Sequence, residues 1–264
     1  MKITLGQFYP TGSLIHRIDP RVKFTGTIVY ITFLLMVNNF WGYGFAALFI
    51  AFLIKISKIP PKLMFRGLRA IIFILIFATT INIFLTQGET VLLSIGFINI
   101  TAEGLYLAAM MCTRLTLLIV GSSILTLTTS PIQLTAAIES LLSPFKIIKV
   151  PAHDIAMMMT IALRFIPTLG EEMDKIIKAQ KARGADFDTG SLVKRAKSLL
   201  PILVPLFVSA FKRADELSTA MEARCYRGDI NRTKMNIMRL AKQDFYSIFV
   251  LVLFCICIIV IRII

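Results

Sequence analysis

Five apolar runs, separated by connections that alternate between basic and charge-free, constrain this chain more than any other feature. They cover residues 22–37, 42–56, 68–86, 104–129 and 245–263. An α-helical bilayer crossing takes roughly 20 apolar residues. The first two runs fall a little short, and Asn38-Asn39 predicts a tight turn between them. Lys2, Arg17, Arg21 and Lys23 precede the first run, and Lys55, Lys58, Lys62, Arg66 and Arg69 follow the second. Residues 38–41 and 87–103 carry no Lys or Arg, and residues 130–244 hold most of the rest. Basic residues concentrate on the cytoplasmic side of membrane proteins. The pattern therefore predicts a cytoplasmic N-terminus, a cytoplasmic 130–244 segment and, with five spans, an external C-terminus. The expected organisation is a membrane domain over 1–129, cytoplasmic helices over 130–244 and a last transmembrane helix over 245–264.

Composition agrees: 56% of the 264 residues are hydrophobic, with a mean hydropathy of +0.78. The formal charge of +14 follows from the basic connections, so it reports topology and contact with anionic headgroups rather than nucleic-acid binding. The opening MKITLGQFYP has no long apolar stretch, which predicts no cleavable signal. Cys112, Cys225, Cys255 and Cys257 show no zinc-binding spacing and read as small apolar residues.

Residues 130–244 are the unusual part. Ser130-Pro131 predicts a helix start, and a short amphipathic helix runs to about Leu142, where Ser143-Pro144 breaks it. Pro151 opens a longer helical pattern to Arg183, apolar in its first half and charged in its second. Gly184 is a natural cap for it, and Lys181 and Arg183 suit its negative end. After the loop 185–190, Ser191 predicts the N-cap of a second long helix ending near Arg224. This helix contains the run LLPILVPLFVSAF at 199–211, too short to cross a bilayer and carrying Pro201 and Pro205. It reads as a kinked segment packed on helices or on a partner, with a shallow re-entrant segment as the alternative.

The ends of the two long helices match. Residues 179–184 read AQKARG and residues 220–225 read AMEARC, 41 residues apart. The same offset pairs Asp174 with Asp215. Arginine near a helix end is common, but two such ends, each with alanines that permit close approach, point to two similar partner surfaces. Arginine carries a planar five-donor fork suited to carboxylate or carbonyl oxygens in a groove. At 1.5 Å per residue each helix would reach roughly 45–50 Å, which places the arginines tens of Å apart.

Other residues carry less. His16 and His153 are the two histidines, and neither has a Ser or Cys partner by spacing. Asp19 is placed to pair with Arg17 or Arg21. Arg114 falls near the middle of the fourth span; an arginine there faces protein, either as a substrate or gating contact or in a polar network with carbonyls, Thr113 or Thr116, the latter being the preferred reading. Arg164 is similar, or reaches outward to headgroups. No phosphate-cradling G-x-x-x-x-G-K-[ST] motif occurs, and within the spans acidic residues are nearly absent, apart from Glu103 at an outer edge. A proton-driven carrier usually holds more, so energy has to come from outside the chain.

The paired ends, together with HRIDPRVK at 16–23, ALRFIPTL at 162–169 and LVPLFVSAFKRADELSTAMEAR at 203–224, resemble the EcfT family (CbiQ/EcfT), the shared transmembrane components of energy-coupling factor (ECF) vitamin transporters. That family carries two Ala-Arg-Gly motifs on cytoplasmic coupling helices. Ala182-Arg183-Gly184 matches the first, and Ala223-Arg224-Cys225 matches the second apart from cysteine in place of glycine. A left-handed residue there would cost about 1 kcal/mol as cysteine, with Gly228 as a nearby alternative terminator. The resemblance implies an all-α polytopic membrane protein with about five transmembrane helices and a coupling region of two long crossed helices plus a short one. It implies docking of Arg183 and Arg224 into two homologous ABC ATPase subunits (EcfA and EcfA′). It also implies interchangeable substrate-binding S components resting on an apolar platform, Leu203, Val204, Pro205, Leu206 and Phe207. The chain itself would bind no cofactor and catalyse nothing, with ATP and Mg on the partner ATPases, in a bacterial or archaeal cell membrane. The alternatives are a dedicated cobalt or nickel T component and a membrane-embedded enzyme.

Overall fold

Helix starts in this chain are set by short polar residues and prolines placed just before each apolar run. The computed structural model describes residues 8–86, 90–95, 98–148, 151–185, 187, 193, 197–228 and 240–263. Helix α1 (Leu14–Arg17) is a single turn. Asp19 caps α2 (Pro20–Leu35), its carboxylate accepting from the Arg21 N–H at 2.9 Å, with Pro20 in the first turn. Helix α3 spans Phe40–Ser57 and ends on Lys58, which takes a left-handed conformation before Ile59-Pro60. Helix α4 (Pro61–Leu85) leads to a small antiparallel hairpin, β1 (Val91–Ile95) and β2 (Ile98–Thr101), paired Ser94 to Asn99. Thr101 then caps α5 (Ala102–Thr128), accepting from the Gly104 N–H. The hairpin is an addition that the apolar pattern did not announce. Helix α6 (Pro131–Leu142) opens on a capping box in which Ser130 and Gln133 exchange side chain-to-backbone bonds of 3.2 and 3.3 Å. A 3-10 segment, Ser143–Ile148, follows. The remaining helices are α7 (Ala152–Ala182), α8 (Leu200–Ala223) and α9 (Lys242–Ile263).

The described residues fall into two units. The first holds α1–α5, the N-terminal half of α6 to Ala137, and α9; the second holds the rest of α6 from Ile138, the 3-10 segment, α7 and α8. In the first unit α3, α5 and α9 are long and apolar enough to cross a bilayer. Helix α2 has 16 residues, and the apolar part of α4 covers Ile71–Phe84. The architecture is that of an all-α polytopic membrane protein.

Its core is built on one antiparallel register. Lys23 Nζ donates to the Thr128 carbonyl at 3.1 Å, the Tyr30 ring lies on Gly121, and Arg114 donates to the Val37 carbonyl at 2.7 Å. Each step of seven residues up α2 is a step of seven back along α5, two helical turns at a time. A Cβ on Gly121 would stand 2.3 Å from the Tyr30 ring, so close approach requires glycine. The Tyr30 hydroxyl donates to the Leu117 carbonyl at 3.1 Å. Phe254 of α9 stacks on Phe49 and Phe45 and contacts Tyr30, sealing α2, α3 and α9 together.

Arg114 belongs to this frame. Its Nε donates to Tyr43 Oη at 2.7 Å, its Nη2 also reaches Asn38 Oδ1 at 3.2 Å, and Tyr43 in turn donates to the Val37 carbonyl at 2.8 Å. Thr113 and Thr116 take no part; each donates to a carbonyl of its own helix. The arginine therefore fastens the α2–α3 turn to the middle of α5. At the opposite end of the bundle, the Asp19 N–H donates to Asp244 at 2.7 Å, and Asp244 also accepts from the Ala241 N–H. One buried carboxylate thus joins the starts of α2 and α9. Asp19 caps α2 and stands 4.0 Å from Arg21 Nε, so of its two foreseen partners Arg21 is the one it meets. His16 bonds the Tyr9 carbonyl through Nε2 at 2.8 Å and the Ser13 hydroxyl through Nδ1 at 2.7 Å, as part of a polar turn. Burial lowers its pKa below the ordinary imidazole value.

Candidate docking site

The two Ala-Arg ends terminate α7 and α8 in the same way. At the first, the Ala185 N–H donates to the Gln180 carbonyl and the Gly184 N–H to the Lys181 carbonyl, both at 3.0 Å. At the second, the Tyr226 N–H donates to the Met221 carbonyl at 3.1 Å and the Cys225 N–H to the Glu222 carbonyl at 2.9 Å. These are the paired bonds of a Schellman cap, shifted by the same 41 residues as the sequence match. The arginines occupy equivalent cap positions, Arg183 at φ −85°, ψ 7° and Arg224 at φ −90°, ψ 11°. Both side chains are exposed, as are Ala182, Gly184, Ala223 and Cys225.

The residue after each arginine is left-handed: Gly184 at φ +85° and Cys225 at φ +55°. This corrects the expectation that Gly228 could end the second helix. Gly228 is also left-handed, at φ +70°, but lies three residues beyond the cap. Cysteine adopts the conformation because the two cap bonds over-determine it, satisfying carbonyls that the helix end would otherwise leave open.

The second helix is described from Leu200 onward. Continuous α8 begins at Leu200 with Leu199 as its N-cap; Ser191, the foreseen cap, lies outside the described residues. Pro201 suits the first turn, where its missing N–H has no partner to lose. At 24 residues α8 is about 36 Å long, and the 31 residues of α7 give about 46 Å. Each helix carries one internal proline, Pro167 in α7 and Pro205 in α8.

The two helices run antiparallel. Gln180 Nε2 donates to the Pro201 carbonyl at 3.4 Å, Ser209 and Arg213 both bond Glu172, and Tyr226 donates to Met157 Sδ at 3.2 Å. Moving forward along α8 means moving back along α7. The Ser209 hydroxyl and then the Arg213 guanidinium hold the Glu172 carboxyl below its usual range. Because Tyr226 sits against Met157, Arg224 lies near the start of α7 and Arg183 at its end, about 39 Å apart along the helix. The identical caps stand at opposite ends of one hairpin, which no single small ligand could bridge.

Between the caps α8 turns an apolar stripe outward. Leu203, Val204 and Phe207 are exposed together with Leu200, Val208 and Phe211, the last at 72%. Pro205 is exposed, Leu206 is half-buried and Ile202 faces inward. Arg164 of α7 is exposed. Where α7 and α8 part, Ile161, Phe165, Ala214 and Leu217 line a gap of about 470 Å³. Among the described residues no group of His, Cys, Asp and Glu side chains is arranged to hold a metal. His153, unremarkable in sequence, instead joins Glu139 and Tyr226 in a side-chain chain that no local spacing announces.

Residues 11–235 match the model of the CbiQ family, described as cobalt transport protein. The chain is 56% identical over 242 residues to the energy-coupling factor transporter transmembrane protein EcfT of Ruminiclostridium cellulolyticum, covering 92% of this chain and 90% of that one. It is 54% identical over 243 residues to the protein of the same name from Thermosediminibacter oceani, covering 92% and 91%. With that from Clostridium kluyveri the identity is 52% over 256 residues, covering 96% and 95%. The matched stretches include both arginine caps and the whole hairpin between them, and the chain belongs to the CbiQ/EcfT family of energy-coupling factor transporter transmembrane proteins.

Proposed function

We propose that this chain is the coupling component of an ATP-driven micronutrient importer, with Arg183 and Arg224 docking into grooves on two homologous ABC ATPase subunits. The observation that carries this is the pair of equivalent Schellman caps at opposite ends of an antiparallel hairpin. Two like surfaces about 39 Å apart call for two like partners. Each cap presents an exposed guanidinium beside alanines, so a groove wall can approach the helix end while the fork bonds several oxygens. Gly184 and Cys225 let the backbone turn away at once, which leaves the arginines at the tips.

ATP and Mg bind to the ATPase subunits, and this chain transmits force. Closing and opening of the ATPase pair shifts the two caps relative to each other, which rocks α8 and its outward stripe. A substrate-binding S component seated on Leu203, Val204 and Phe207 is reoriented by that motion and releases its cargo inward. The alternation of basic and charge-free connections supports a cytoplasmic N-terminus and hairpin, in the cell membrane of a bacterium or archaeon.

Changing Arg183 and Arg224 together to Glu tests the assignment. The double variant is expected to assemble in the membrane but to lose copurification of both ATPase subunits, with each single variant losing more of one subunit than of the other. Full retention of both subunits by the double variant would end the reading.

A further inference from the structure

The two caps differ in the residue that follows them. Ala185 comes after Gly184, whereas Tyr226 stands at the equivalent position after Cys225. The left-handed turn at Cys225 sends Tyr226 back over the start of α7, where its ring is half-buried. Its hydroxyl lies 3.2 Å from Met157 Sδ and 3.4 Å from His153 Nε2. On the far side of the same imidazole, Nδ1 is 3.1 Å from Glu139 Oε1, and both of these side chains are largely buried. A carboxylate accepts from an imidazole N–H, so Nδ1 carries the hydrogen that it shares with Glu139, and the Tyr226 hydroxyl, which donates to Met157 Sδ, lies against the Nε2 edge of the same ring. Glu139 belongs to α6, which continues without a break to Pro131. Three side chains thus connect the end of α8 through α7 to α6. Ala185 has no group with which to make a matching connection at the first cap.

We propose that Tyr226 is a positioning residue: it latches the Arg224 end to α6, so that force on this end passes directly to the helix through which the chain enters the membrane unit, while Ala185 supplies no such latch at the Arg183 end. The two docking ends, alike in their caps, are then mechanically unequal. This rests on the reading of Arg224 as a docking arginine. The same network holds the cap in one orientation, because a chain that turns at a single residue is fixed once the next side chain is bonded.

The test uses the whole transporter, with both ATPase subunits and a riboflavin-binding S component, in proteoliposomes. Tyr226→Phe removes one hydroxyl, and Glu139→Ala removes the far anchor. Each variant is expected to keep both ATPases bound and to hydrolyse ATP within about twofold of the parent. Tritiated riboflavin accumulated per ATP should fall at least about threefold, and the double variant should fall no further than the lower single one. Backbone hydrogen exchange should rise at 222–228 and 138–142 but not at 180–185. A parental riboflavin-to-ATP ratio in Tyr226→Phe, or exchange rising equally at both caps, overturns the latch. Arg224→Glu is measured alongside. If it leaves both ATPases bound, the docking reading fails on its own; if it releases one while Tyr226→Phe keeps the parental ratio, the latch alone fails.

Discussion

Cys225 stores strain that Gly184 does not. At φ +55° a side chain with a Cβ crowds its own carbonyl, and glycine relieves this. Cys225→Gly is expected to stabilise the protein by about 1 kcal/mol, read as a rise in thermal unfolding temperature in detergent. Gly184→Ala should lower stability by a similar amount, since open space surrounds that position and only the backbone conformation resists the change. His16 gives a pH signature. Its carbonyl and hydroxyl partners suit a neutral ring with hydrogen on Nε2, and burial lowers its pKa. The unfolded chain, titrating near about 6.5, takes up the proton first. The stabilisation is therefore present above that pH and is lost as pH falls toward the lowered folded value. Unfolding temperatures of the parent and of His16→Gln should converge as the pH drops from 7.5 to 5.5, and a gap that widens on acidification would contradict this.

At the scale of elements, the α2–α5 pair is the most exacting contact. Gly121→Ala puts a methyl into the Tyr30 ring, which is buried and tethered to the Leu117 carbonyl and so cannot swing aside. The expected loss is about 1–3 kcal/mol, and Tyr30→Leu combined with it should restore part of that, as a double-mutant cycle on unfolding would reveal. Glu172 plays the corresponding role between α7 and α8, and its contribution should fade as acid protonates it below the ordinary carboxylate range. Helix ends were largely legible in the sequence, because Pro20, Ser130-Pro131, Pro151 and Gly184 act through their own backbone chemistry. The left-handed Cys225 was not, since its conformation is imposed by bonds to Met221 and Glu222 after the helix has formed. Nor was the pairing of Arg114, whose partners at Val37, Asn38 and Tyr43 come from a different hairpin. Arginine at a membrane depth announced that some partner exists but not which.

For the whole molecule, the apolar runs and their charged connections were enough to give an all-α membrane protein. What they left open was the register within each unit. That register decides the function proposed above: two matching ends on one hairpin become two docking ends only when the helices are antiparallel. The bonds from Glu172 to Ser209 and Arg213, and from Gln180 to Pro201, establish that direction. No periodicity within α7 or α8 encodes it.

The short reach of the first helical pair has a further consequence. With 16 and 18 residues, α2 and α3 measure about 24 and 27 Å, against a hydrocarbon layer about 30 Å thick. Their turn stands level with Arg114, partway along α5, and Phe40 and Trp41 project from it exposed, in the manner of side chains that settle at the lipid–water boundary. Lipid on this flank has to thin by several Å to meet that boundary, at a fraction of a kcal/mol for each Å.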